Sequence, residues 1–239
     1  MKNTRSLAAA FAGVLIFSTP AFAQVIVWGP ASNMAGDTDV VIPVPGTLVD
    51  AATFYSSAVT VNTVTFNPLT LSSGTYSDAS GDIAITTPNG GAGAYTAPFT
   101  TASPSSTSYS NLTSVLGYTV GVTGSVTLSG LTSGDTYQVE AWSYYTGTTP
   151  GGSTTLTGAT PVNLASTGGQ YALGTFTATG TTETFGYAVN AADNHAIINA
   201  VDVYNTTGIG AVPEPSTYVL LGLGVLGLIL VRRRTDQIS

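Results

Sequence analysis

The chain has 239 residues, no Cys, and only 7% charged side chains, against about 25% in an average globular domain. All five basic residues sit near the ends (Lys2, Arg5, Arg232, Arg233, Arg234), and of the twelve acidic residues only Glu214 and Asp236 lie beyond Val212, so residues 24–212 carry a formal charge of −10. Such a surface cannot neutralise phosphates, which excludes nucleic-acid binding and phosphoryl transfer through an arginine clamp; cysteine-based metal or thiol chemistry is excluded as well.

The first 23 residues read as a secretory signal peptide. Lys2 and Arg5 precede the apolar run Leu7–Phe17, Ser18-Thr19-Pro20 breaks it, and Ala21-Phe22-Ala23 supplies the small residues that signal peptidase needs. Cleavage is expected before Gln24. The exported chain must then fold without disulfides.

Residues 24–206 suit one domain, with no repeat of 20–50 residues. The 40 Thr, 23 Ser and 28 Gly describe strands and turns rather than helices. Val59 and Val61 alternate with polar neighbours; the phase slips at Thr63 and resumes at Val64 and Phe66, which marks a bulge or a strand end. Further alternation runs through Val126 and Leu128, through Tyr137, Val139 and Ala141, and through Phe185, Tyr187 and Val189, ending in the Ile197–Tyr204 run. Turn clusters at Pro88-Asn89-Gly90-Gly91, Thr132-Ser133-Gly134-Asp135, Pro150-Gly151-Gly152 and Thr167-Gly168-Gly169 separate them. No helical period is sustained. The expected fold is all-β, a single jelly-roll-like β-sandwich, because an immunoglobulin-like module would need only about 100 residues. In Leu128–Tyr137 a Leu ends one strand, Gly134 turns, and Tyr137 opens the next, the arrangement by which Greek-key sandwiches staple a corner with a tyrosine hydroxyl.

Few residues carry chemistry. His195 is the only histidine, no serine sits in a G-x-S-x-G elbow, and no carboxylate pair lies in a recognisable catalytic setting. Asp193-Asn194-His195 therefore reads as a turn before the last strand. Asp37 and Asp39 offer alternate carboxylates, and Asp78 and Asp82 enclose a Ser-Gly turn; these oxygens suit calcium, with ordinary turn aspartates as the alternative. Glu140, Trp142 and Tyr144 fall on one side of an extended strand, a set that suits a sugar ring. Packing of Trp142 under a loop or in a second core of the sandwich is the alternative.

The mature segment also resembles secreted bacterial jelly-roll domains found ahead of sorting tails. The residues that carry the likeness are Val27-Trp28-Gly29-Pro30, Gly36-Asp37-Thr38-Asp39-Val40, Gly46–Ala51, Val61–Phe66, the Leu131–Tyr137 hairpin with Glu140-Ala141-Trp142, Gly174–Ala178 and Ile197–Val201. The resemblance implies a galactose-binding-like shape and no defined activity. After the Trp strand, Ser143-Tyr144-Tyr145-Thr146 departs from the Asp or Arg of such relatives.

The last segment holds a linker (207–217) containing Val212-Pro213-Glu214-Pro215, an apolar stretch (218–231), and a tail (232–239) that opens with Arg232-Arg233-Arg234. Fourteen apolar residues rise about 21 Å as a helix, short of the roughly 30 Å hydrocarbon core, but the arginine cluster favours a membrane span with its basic end in the cytoplasm. The combination closely resembles the PEP-CTERM sorting signal of Gram-negative bacteria that make exopolysaccharide. The resemblance implies recognition by an exosortase, processing near the Pro-Glu-Pro motif, and transfer towards the cell surface. The expectation is thus an exported, membrane-anchored precursor of a surface or exopolysaccharide-matrix protein. Its partners are signal peptidase, exosortase, the membrane and extracellular polysaccharide. No catalytic activity and no cofactor are expected, calcium being the one candidate ion. The alternatives are a carbohydrate-binding module and a calcium-dependent hydrolase.

Overall fold

The computed structural model describes residues 26–94, 106–146, 153–189 and 194–208. The signal peptide with Ala21, Ala23 and Gln24, the Pro150-Gly151-Gly152 turn, Val212–Pro215, the 218–231 stretch and Arg232–Arg234 lie outside the described residues. Among the described residues no helix is long and apolar enough to cross a membrane.

The strands, in chain order, are β1 (Val27–Trp28), β2 (Ser32–Asn33), β3 (Thr47–Thr53), β4 (Val59–Val61), β5 (Val64–Pro68), β6 (Thr70–Ser72), β7 (Thr75–Ser77), β8 (Ile83–Thr86) and β9 (Gly91–Gly93). Helix α1 (Thr107–Ser114) follows, then β10 (Leu116–Val120), β11 (Gly124–Leu128), β12 (Thr136–Ser143), β13 (Ser153–Leu156), β14 (Val162–Ala165), β15 (Gln170–Thr177), β16 (Glu183–Val189), β17 (His195–Ile198) and β18 (Ala200–Asn205). One sheet runs β1-β15-β12-β18-β3-β5-β4, with β2 also on β15; a second runs β14-β13-β16-β11-β8-β7-β6; a small third runs β17-β10-β9. Pairing is antiparallel except between β3 and β5.

The frame is β15-β12-β18-β3 opposed to β14-β13-β16-β11. Period-two alternation supplies its core. Val139, Ala141, Val201 and Val203 of the first sheet meet Val126, Leu128, Phe185 and Tyr187 of the second in one buried cluster. The chain crosses between sheets from β11 to β12, from β12 to β13, from β14 to β15 and from β15 to β16. Between β3 and β11 it makes a long excursion through β4–β10 and α1, and this excursion later covers the outer face of the first sheet.

Trp28 ties the edge strand β1 across the sandwich. Its Nε1 donates to the Thr157 carbonyl at 3.0 Å, and its ring meets Phe185 edge-on at 5.1 Å. Gly174 must lack a side chain here, since a Cβ would come within 2.5 Å of Ile26 and 2.8 Å of the indole. The corner at Tyr137 is stapled: its hydroxyl accepts the Thr132 N–H at 2.7 Å, and its ring stacks on Phe176.

Three local features differ from the periodicity. The slip at Thr63 is a strand end: Val61 pairs with Val64, and Asn62 and Thr63 turn with φ of 44° and 68°, as a two-residue hairpin loop requires. The Ile197–Tyr204 run is not one strand but two. It breaks at Asn199, with β17 in the small sheet and β18 in the large one. Asn199 is fully buried, and its side chain explains the break: Oδ1 accepts the Tyr144 N–H at 2.6 Å while Nδ2 donates to the carbonyls of Thr113 and Val115. Helix α1 is the third difference. Its sequence, TSYSNLTS, has poor helix propensity, but Ser106 caps it by accepting the Tyr109 N–H, and it buries Tyr109, Leu112 and Thr113 at helical spacing. Eight residues are too short to show as a sustained period.

Tyr137→Phe keeps the ring stack and removes the hydroxyl that accepts the Thr132 N–H at 2.7 Å and the Asn205 Nδ2 at 3.5 Å. A loss of about 1–2 kcal/mol in unfolding free energy is expected, with the urea m-value unchanged; equilibrium denaturation checks it.

Candidate functional site

Strands β12 and β18 pair at the centre of the first sheet, with Glu140 opposite Asp202 and Trp142 opposite Ala200. With Val139, Ala141, Val201 and Val203 turned inward, alternation sends Glu140, Trp142, Asp202 and Tyr204 to the other face. That face is not open. The β4–β5 hairpin, the turn at Asp37–Asp39 and α1 lie over it, and Val61, Phe66, Tyr109 and Leu112 pack with Trp142 and Tyr204 into a second buried cluster.

Glu140, Trp142 and Tyr144 do share one face, as their spacing requires. All three are buried, however, with relative exposures of 0%, 0% and 6%. Trp142 meets Phe66 edge-on at 5.6 Å and stacks against Tyr171 at 6.4 Å. The indole is thus packed between protein rings, and the three side chains do not form an open stacking face.

The same chamber holds charges. Glu140 and Asp202 are both wholly buried. Glu140 Oε2 accepts the Val41 N–H at 3.0 Å, but its Oε1 has no hydrogen-bond partner among the described residues. Neither oxygen of Asp202 has one, nor do Trp142 Nε1 and the Tyr204 hydroxyl. Burial pushes the Glu140 carboxyl well above the usual range, and the neighbouring Asp202 charge adds to it. Burial does the same to Asp202, and the nearby Glu140 amide opposes it without making a well-formed hydrogen bond. The Tyr204 hydroxyl is also pushed up, by burial first and then by both carboxylates.

The Asp37-Thr38-Asp39 turn serves α1. Asp37 Oδ1 accepts from Ser106 N–H and Oγ–H at 2.9 and 3.0 Å, fastening the helix cap. Asp39 Oδ2 accepts the Ala35 and Gly36 N–H groups and, at 2.6 Å, the Tyr109 hydroxyl. Burial, the hydrogen bond to Asp39 and the Asp39 charge all push the Tyr109 hydroxyl upward. One oxygen of each aspartate read as a calcium candidate, Asp37 Oδ1 and Asp39 Oδ2, thus binds N–H and O–H donors. Among the described residues, no three acidic or histidine side chains converge as a metal cluster.

A second acidic pair lies beside β8. Asp78 accepts the N–H groups of Ser80, Gly81 and Ile83, closing the turn that ends at Asp82. Ser80 Oγ also lies 2.9 Å from Asp50 Oδ2. Burial raises the Asp50 carboxyl to about 6, with the Asp78 charge adding and the Ser80 bond opposing. Burial works the same way on Asp78, but the donors around it outweigh burial and hold it below the usual range. His195 opens β17 opposite Val120, its ring 6.0 Å from that of Tyr118.

Asp202, Tyr204, Asn199 and Tyr109 escaped the sequence reading. The signal was present but faint: Asp202 interrupts an apolar run, as Glu140 does, and an acid inside such a run marks a strand buried on both faces.

Residues 211–234 match the family model of the PEP-CTERM protein-sorting motif. The chain carries a PEP-CTERM sorting signal. The match spans Val212-Pro213-Glu214-Pro215 and Arg232-Arg233-Arg234, and it indicates export, a membrane-anchored precursor and processing by an exosortase. No match was found among curated proteins or solved structures. The β-sandwich ahead of the PEP-CTERM signal therefore has to be read from its own geometry.

That geometry sets a pH dependence. A carboxyl whose folded pKa is raised contributes stability that is complete below its unfolded value, near 3.8 for Asp50. The contribution is lost as pH rises through the folded value, about 6. The lowered Asp78 acts only below its unfolded value near 3.8. The thermal midpoint is expected to be higher at pH 5 than at pH 8, the reverse of ordinary acid denaturation. Asp50→Asn should flatten the part centred near pH 6. Thermal unfolding followed by circular dichroism checks both.

Proposed function

We propose that the mature domain is a non-catalytic jelly-roll module that the sorting signal delivers to the cell surface or the exopolysaccharide matrix. The observation that carries the reading is the sorting-motif match at residues 211–234. The jelly-roll assignment is supported by strand order: β3-β18-β12-β15 against β11-β16-β13-β14, with the chain alternating between sheets, is the winding of two Greek keys. The non-catalytic reading is supported by the placement of the carboxylates. Glu140 and Asp202 lie beneath the β4–β5 hairpin and α1, and a glycosidase needs its pair open to a sugar across a cleft. Sugar recognition by Glu140, Trp142 and Tyr144 would require that cover to lift, and a calcium-dependent hydrolase would face the same obstacle.

The test is to follow the chain in the producing cell with and without its exosortase. Loss of the exosortase should leave a larger, membrane-retained form, and Glu214→Ala should do the same in its presence. Unchanged size and location in both would overturn the reading.

A further inference from the structure

We infer that the second core holds one hard divalent cation of the calcium class, bound between Glu140 and Asp202 with the Tyr204 hydroxyl beside them.

The argument starts from the atoms left without partners. Asp202 Oδ1, Asp202 Oδ2 and Glu140 Oε1 are buried oxygens that accept no hydrogen bond among the described residues. The Tyr204 hydroxyl is an independent fourth such atom, on a residue only 2% exposed. It follows Asp202 by two positions on β18, so it shares the face, and both carboxylates act on it. A buried polar group without a partner is destabilising, and a buried charge more so. Four on one patch of sheet call for an occupant.

Charge and donor type identify that occupant. No Lys or Arg occurs between Gln24 and Val231, so the described residues have no Lys or Arg to place there. The two carboxylates carry −2 when ionised, which one divalent ion neutralises. The donors are all oxygen, and the only histidine lies on β17 in another sheet, so softer metals have nothing to prefer here. Magnesium gives up water reluctantly and demands a near-ideal octahedron, whereas calcium accepts irregular oxygen shells. Two carboxylates facing each other across paired strands, one hydroxyl and enclosed water make such a shell. The unpartnered Trp142 Nε1 is a donor and suits one of those waters.

Asp39 stays outside the shell. Its Oδ2 already serves two amides and Tyr109, but its charge reaches Glu140 and strengthens the pull on a cation. The consequence concerns the cover as much as the site. Glu140 Oε2 holds the Val41 N–H, so a cation on Oε1 fixes the 37–41 turn, and through it α1, to the sheet.

The test uses the full chain in detergent, stripped with chelator and titrated with Ca²⁺, with Mg²⁺ as comparator. Calorimetry should give one Ca²⁺ per chain, and the thermal midpoint should rise about 5–10 °C at a hundredfold excess over Kd. Mg²⁺ should bind far more weakly. Asp202→Asn should fold, having lost a buried charge, and should no longer respond to Ca²⁺; Tyr204→Phe should bind with lower affinity. Asp78→Asn should respond like the parent chain. Absence of Ca²⁺ binding by the parent chain overturns the inference, as does binding that survives Asp202→Asn or disappears with Asp78→Asn.

Discussion

The pairing of Thr136–Ser143 with Ala200–Asn205 is the constraint on which the rest depends. These two strands lie at the centre of the first sheet and are buried on both faces. On the inner face that is simple, because Val139, Ala141, Val201 and Val203 meet the second sheet. On the outer face the same period brings Glu140 and Asp202 side by side, in a chain segment with no basic residue to neutralise them. Every other acidic contact in the domain has to be solved the same way, with N–H and O–H donors in place of ion pairs. Asp37, Asp39 and Asp78 follow that rule by closing a turn or fastening a cap, and Asp50, within β3, accepts the Ala51 N–H and the Ser80 hydroxyl. Glu140 follows it halfway and Asp202 not at all.

The cover follows from that face. An exposed sheet surface carrying Trp142, Tyr204 and Ala200 would leave a large apolar patch in water. The excursion between β3 and β11 removes it by laying the β4–β5 hairpin and α1 over the sheet. The parts are weak alone. Helix α1 is short and rich in Ser and Thr, and it stands because Asp37 binds its cap, Tyr109 reaches Asp39, and Asn199 holds the Thr113 carbonyl at its far end. The hairpin is tied down through Asn62, whose Nδ2 donates to the Val40 carbonyl at 2.9 Å. The turn, the helix and the sheet thus share a few polar contacts around one apolar chamber.

For an exported module this construction has a use. The sandwich stands without disulfides, so it does not depend on an oxidising compartment to close its core. Its partly exposed acids, Asp37, Asp82, Asp135 and Glu183, have no Lys or Arg to pair with among the described residues. Sorting information is carried by residues 211–234.

Sequence alone determined the sorting signal and the class. The Pro-Glu-Pro motif and the arginine cluster are local patterns that need no fold to be read. Period-two alternation likewise marked β4, β5, β11, β12 and β16 and the Tyr137 corner, since a half-buried strand writes its face into every second residue. Tertiary structure decided whatever depended on the other side of the sheet. Glu140, Trp142 and Tyr144 share a face by spacing, but whether that face meets water or a helix depends on where residues 59–66 and 107–114 come to rest. The break at Asn199 and the placement of Asp202 opposite Glu140 were hidden for the same reason. A run buried on both faces loses its alternation, and with it the signal that tells one strand from two.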